Sequence, residues 1–67
     1  MSNETYRGYL ISCQMGREWV AHIWPPNDPH ELLPNPKATL GEGRDVVLTR
    51  ARAIVDRELS DREAVSI

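Results

Sequence analysis

The sequence predicts a small α+β domain, a three-stranded antiparallel sheet in the order β-β-β-α with one helix packed on one face. Residues 6–14 and 18–24 alternate between apolar and polar side chains, as paired strands do. Residues 44–59 instead carry apolar side chains at helical spacing. Since the chain has 67 residues, we expect a single domain over 1–67.

The first two strands form a hairpin whose side chains separate by face. We expect residues 15–17 to be its loop, because Gly16 suits the positive φ that a three-residue loop requires. This loop sets Gln14 opposite Glu18 and Cys13 opposite Trp19. The side chains that then point toward the core are those of Tyr9, Ile11, Cys13, Trp19, Ala21 and Ile23.

The rest of the chain is organised by its prolines and glycines. Residues 25–36 contain all five prolines and predict an irregular, partly extended loop. Residues 37–40 predict a short third strand, which is followed by a break at Gly41-Glu42-Gly43. The polar segments 1–5 and 60–67 are expected to be frayed ends.

The predicted helix has one apolar face and charges placed to support it. Asp45 lies near its N-terminus, where the helix dipole favours a negative charge. Glu58 and Arg62 form a correctly ordered i, i+4 pair if the helix extends that far. The residues predicted to face the sheet are Val47, Leu48, Ala51, Ile54, Val55 and Leu59.

Composition excludes several classes of protein. The chain has 8 basic and 10 acidic residues and a formal net charge of −2, whereas general nucleic-acid binders usually carry a basic excess. No apolar run approaches the roughly 20 residues of a membrane span, and no signal peptide is visible. With a single cysteine, we expect a cytoplasmic protein without an internal disulfide. So small a core favours either a protein partner or a homodimer.

Catalytic and metal-binding arrangements are weak in this sequence. Cys13 and His22 lie on opposite faces of the predicted hairpin, so they cannot act together as nucleophile and base. Neither they nor Asp28 and His30 have a recognised close metal-ligand spacing. The carboxylates are scattered along the chain, at Asp28, Glu31, Asp45 and Asp56. We therefore predict a protein that is not an enzyme and that has no metal site and no cofactor.

The side of the hairpin that faces away from the core carries the clearest interaction signal. The predicted contact residues on it are Leu10, Val20, His22 and Trp24. An open antiparallel sheet normally presents polar side chains to solvent, so these residues predict a surface for a partner or a second copy. Alternatively, residues 25–36 or 60–67 fold back and cover this face within the monomer.

Two arginines of the helix support a different function. Arg50 and Arg57 are seven residues apart and lie on one flank of the helix, beside its apolar face. They are candidate contacts for an acidic partner or a phosphate backbone. The alternative function is therefore a small nucleic-acid-binding accessory that uses these arginines and the tryptophans, although the negative net charge opposes it.

Several motifs resemble the HicB-like antitoxin domain, a partial ribonuclease-H-like miniature, over about residues 6–59. Trp19-Val20-Ala21 is similar to the second strand of that family, and Pro25-Pro26 stands where its turn begins. Residues 47–55, Val-Leu-Thr-Arg-Ala-Arg-Ala-Ile-Val, follow its helix pattern. The resemblance implies the fold and a tendency to bind proteins or to dimerise. The resemblance does not include a C-terminal ribbon-helix-helix or helix-turn-helix segment, so it does not imply a DNA-binding repressor.

Overall fold

The computed structural model describes the backbone of residues 2–65 and the side chains of residues 3–62. Its elements are β1 (Ser2–Tyr6), β2 (Tyr9–Met15), β3 (Trp19–Trp24), β4 (Lys37–Ala38) and α1 (Arg44–Val65). The fold class is α+β with an antiparallel sheet and one helix in this part of the chain, as the sequence predicts.

The sheet has four strands within the described residues rather than the predicted three, in the order β1-β2-β3-β4. The extra strand is β1, so the expectation that residues 1–5 are frayed was wrong for residues 2–5, and Met1 lies outside the described residues. The predicted strand over residues 6–14 is interrupted by Arg7 and Gly8, whose φ angles are 51° and 88°. Two successive positive φ angles are typical of a type I′ turn, which closes a hairpin without splaying its strands.

The β2–β3 hairpin has the predicted faces but a different register. Met15 pairs with Trp19, so the loop is residues 16–18 and not 15–17. Within it, the Gly16 amide donates to the Glu18 carbonyl at 3.1 Å. Cys13 consequently lies opposite Ala21 instead of Trp19. Because side chains alternate with a period of two, this shift of two residues leaves each one on its predicted face.

One cluster of buried side chains joins the sheet to the helix. Its members are Tyr9, Ile11, Cys13, Ala21, Ile23, Ala38, Val47, Leu48, Ala51 and Val55. Trp19, Ile54 and Leu59 are half-buried and pack against it. Each fully buried valine or isoleucine side chain contributes roughly 1.5–3 kcal/mol to folding. The face of β2 and β3 that supplies this cluster is called the core face, and the opposite side is the open face.

The helix continues beyond residue 59, where the sequence predicted its end. It runs to Val65, so residues 60–65 are helical rather than frayed, whereas residues 66 and 67 lie outside the described part. The apolar stripe ends at Leu59, but no glycine or proline follows to stop the helix. Arg62 Nε donates to Glu58 at 3.3 Å, which forms the predicted i, i+4 pair.

Residues 25–36 contain no helix or strand, and they run beside the outer edge of β3. The Leu32 amide donates to the Ile23 carbonyl at 2.8 Å, and the Ala21 amide donates to the Pro36 carbonyl at 3.0 Å. This proline-rich segment leads into β4, which is shorter than the predicted 37–40. Within residues 2–65, no helix is long and apolar enough to cross a membrane.

Candidate interaction surface

The open face brings together the residues that the sequence singled out on the hairpin. Leu10 of β2 lies directly opposite Trp24 of β3, and alternation along β3 places His22 and Val20 next on the same face. Leu10 is 42% exposed, whereas Val20, His22 and Trp24 are half-buried. The face is thus partly apolar and only partly covered.

His22 stands at the centre of this face. Its ring stacks on Trp24, with centroids 5.9 Å apart and planes inclined by 25°. Its Nδ1 lies 3.0 Å from Oε1 of Glu31. Hydrogen bonds from Asn35 and from His22 lower the pKa of Glu31, so its carboxylate is ionised at neutral pH and can only accept. His22 therefore donates from Nδ1 to this carboxylate.

The proline-rich segment supplies the groups that cover His22. Asn35 Nδ2 donates to Oε1 of Glu31 at 2.6 Å, so this amide fixes the carboxylate that holds the ring. Backbone hydrogen bonds hold the segment to the edge of β3 at Ala21 and Ile23, the two residues that flank His22. The side chains of Glu31 and Asn35 therefore lie close to His22. Residues 25–36 therefore cover the middle of the open face and leave Leu10 exposed.

A shallow hollow of about 360 Å³ opens beside this cover, at the end of the β2–β3 hairpin. It is lined by Val20 and His22 of the open face and by Gln14, Met15 and the loop residues 16–18. Alternation along β2 places Gln14 on the open face and Met15 on the core-face side, so Gln14 adds a polar group to the hollow. The hollow extends the open face beyond its four predicted residues.

The helix arginines occupy different environments. Arg50 donates from Nη1 to the Lys37 carbonyl at 2.7 Å and from Nη2 to the Glu42 carboxylate at 2.9 Å. The guanidinium group of Arg50 is thus bonded both to β4 and to the turn before the helix. Arg57 is exposed on the surface of the helix.

The catalytic candidates are dispersed. Cys13 is fully buried in the core, where desolvation raises the pKa of its thiol, and His22 lies on the opposite face of the sheet. Asp28 accepts hydrogen bonds from the exposed His30, and Asp56 is bonded to residues of the β1–β2 hairpin. In the part of the chain that is described, no group of three or more His, Cys, Asp or Glu side chains is arranged to hold a metal ion.

Two features of the site were not predicted. The sequence predicted residues 25–36 as one of two segments that could cover the open face, but it did not indicate that Glu31 would bind His22 or that Asn35 would bind Glu31. The attachment of β1 to the helix was also missed, because it depends on pairs nearly fifty residues apart, such as Glu4 and Arg52.

Comparison of the chain with models of protein families, with curated proteins and with solved structures finds no match.

Proposed function

We propose that this chain is a non-enzymatic, cytoplasmic protein-interaction module, antitoxin-like in the sense of the HicB resemblance, whose open face binds a second protein. In this proposal the helix packs only on the core face, which leaves the open face available to a partner. The observation that carries the proposal is the pairing of exposed Leu10 with half-buried Trp24 on a face where an antiparallel sheet usually presents polar groups. An apolar pair at the surface of a sheet is a candidate for such a contact.

The proposal also implies the chemistry of the partner. Leu10, Trp24 and the hollow beside Val20 suit aliphatic or aromatic side chains, which dominate the binding energy of protein interfaces. The second ring nitrogen of His22, Nε2, can form a hydrogen bond with a polar group of the partner. We therefore expect an apolar contact flanked by one such polar group.

The alternative of nucleic-acid binding receives less support. Arg50 is paired with Glu42, and Trp19 packs against the core rather than standing free for base stacking. The net charge of −2 would also repel a phosphate backbone.

The experiment is a titration against the product of the neighbouring gene, the first candidate for a partner of an antitoxin-like module. Calorimetry would compare the wild type with Leu10→Ser, Trp24→Ser and the matched control Leu40→Ser, whose side chain is 50% exposed in the turn before the helix. We expect both open-face variants to weaken binding at least about tenfold with an unchanged circular dichroism spectrum, and the control to bind like the wild type.

Three results would contradict the proposal. One is a wild type that binds neither that protein nor another expressed from the same operon. Another is open-face variants that bind within about twofold of the wild type. The third is a Trp24→Ser chain that unfolds while Leu10→Ser binds normally, because Trp24 would then belong to the core.

A further inference from the structure

The two edges of the sheet differ in how they are protected. The β4 edge is two residues long and is preceded by the proline-rich segment, which lacks amide donors at its prolines. The β1 edge is five residues long, contains no proline and lies at the outside of the sheet. An unprotected edge strand is a template for pairing with another chain.

The turn at Arg7-Gly8 determines which backbone groups of β1 point outward. In a two-residue type I′ hairpin, the residues that flank the turn form a hydrogen-bonded pair, here Tyr6 and Tyr9. Hydrogen-bonded and non-hydrogen-bonded pairs then alternate along an antiparallel ladder. Thr5 and Asn3 are therefore in non-hydrogen-bonded pairs with β2 and direct their N–H and C=O groups to the free edge.

We propose that a second copy of this chain pairs with this edge, antiparallel and around a two-fold axis, with Asn3 of each copy opposite Thr5 of the other. In this register Asn3 and Thr5 of one copy lie opposite Thr5 and Asn3 of the other, and all of them direct their backbone groups outward. The four outward N–H and C=O groups of each strand therefore all form hydrogen bonds. Glu4 then lies opposite Glu4 of the second copy. Since directly opposite residues share a face, both helices lie on one side of a continuous eight-stranded sheet, within the usual size of about 2–10 strands.

The charged side chains on the core-face side of β1 are compatible with this arrangement. Two like charges in opposite positions destabilise a sheet, but each Glu4 is already bound by Arg52, with Nε and Nη2 both donating at 2.8 Å. A guanidinium has five N–H donors, so each Arg52 has further donors to offer to Glu4 of the second copy. The side chains of Arg52 and Glu4 are 42% and 29% exposed, so they are accessible to it. The two carboxylates and two guanidinium groups compensate one another.

The test replaces an outward amide without disturbing the β1–β2 ladder. Thr5→Pro removes an N–H that this ladder does not use and places a ring at the free edge, where proline is tolerated. Thr5→Val keeps the amide and is the matched control. By sedimentation velocity, we expect the wild type and Thr5→Val to form dimers and Thr5→Pro to raise the dimer dissociation constant at least tenfold. Trp24→Ser should leave the dimer intact, which separates this interface from the open face.

A second measurement uses only the wild type, so it does not require any variant to fold. Amide exchange in the wild type should become slower at Asn3 and Thr5 as protein concentration rises, while the exchange rates of Glu4 and Tyr6, whose amides bond to β2, change little. A wild type that is monomeric up to roughly 1 mM overturns the proposal. So does a folded Thr5→Pro chain that dimerises like the wild type, or an exchange rate at Thr5 that is independent of concentration.

Discussion

Arg52 in the middle of the helix binds both carboxylate oxygens of Glu4 in β1, from Nε and Nη2 at 2.8 Å each. One helical turn later, Asp56 accepts a hydrogen bond from the Tyr6 hydroxyl at 3.0 Å and another from Arg7 Nη1 at 2.9 Å. The first strand is thus held to the helix by polar contacts on one flank. On the other flank, Arg50 binds the carbonyl of Lys37 in β4.

The first prediction concerns this attachment of β1. Arg52→Lys keeps the charge but cannot form the two parallel hydrogen bonds, because an ammonium group lacks the planar fork of a guanidinium. We expect amide exchange to accelerate in residues 2–6 and the melting temperature to fall by less than about 5 °C, since partly exposed ion pairs contribute little to global stability.

Arg57→Lys is the matched control, because Arg57 is exposed on the same helix. It should leave both quantities unchanged. Equal exchange rates in β1 for Arg52→Lys and the wild type would show that the bidentate contact does not hold the strand.

The sequence predicted the core more successfully than the edge of the sheet. Alternation along β2 and β3 and the spacing of Val47, Ala51 and Val55 identify side chains that are buried in the structure, because burial follows the period of each element. Residues 2–5 show no apolar alternation, since β1 contacts the helix through Glu4 and Tyr6 rather than through aliphatic groups. Hydrophobic periodicity cannot reveal a strand that is attached in this way.

The second prediction compares two isoleucines of the core. Ile23 is 0% exposed, whereas Ile54 is half-buried at the side of the cluster. Ile23→Ala leaves a cavity that the surrounding side chains cannot fill, so it should cost about 2–5 kcal/mol. Ile54→Ala should cost clearly less, because solvent can occupy part of the space. Urea unfolding at constant m-value measures both, and equal losses would show that the helix is oriented differently.

The third prediction concerns the hydroxyl group of Tyr9. The side chain is 1% exposed, and its oxygen has no hydrogen-bond partner within the described residues. A buried polar group without a partner costs about 1–3 kcal/mol. Tyr9→Phe removes this group and keeps the ring, so the free energy of unfolding should stay the same or rise by up to about 1 kcal/mol. A loss of more than about 1 kcal/mol would indicate that the hydroxyl is bonded in the folded protein.

The candidate site was only partly predictable. The four residues of the open face follow from alternation alone, and the register error did not move them because it was a shift of two. How much of that face the proline-rich segment covers could not be predicted. It depends on backbone bonds at Ala21 and Ile23 and on the bond between Glu31 and His22. Contacts of an irregular segment leave no periodic pattern in a sequence.

The last prediction concerns pH. The hydrogen bond from Arg52 lowers the pKa of Glu4, and those from Arg7 and Tyr6 lower the pKa of Asp56. A carboxylate whose pKa is lower in the folded than in the unfolded state stabilises the fold above its unfolded value and loses that contribution as the pH falls through the folded value. We therefore expect a melting temperature that is nearly constant from pH 7 to about 5 and that falls below about pH 4.

The variant Glu4→Gln tests whether Glu4 is responsible for the loss of stability at acid pH. The amide cannot titrate, so the variant should melt at a lower temperature than the wild type at pH 7 and the two should converge as the pH approaches about 3. The bond to Asp56 raises the pKa of the Tyr6 hydroxyl, so Tyr6 itself loses its proton only at alkaline pH. In the acid range Tyr6 acts only as a donor to ionised Asp56, and protonation of that carboxylate weakens the bond. A constant difference between Glu4→Gln and the wild type across this range would show that ionised Glu4 does not stabilise the attachment of β1 to the helix.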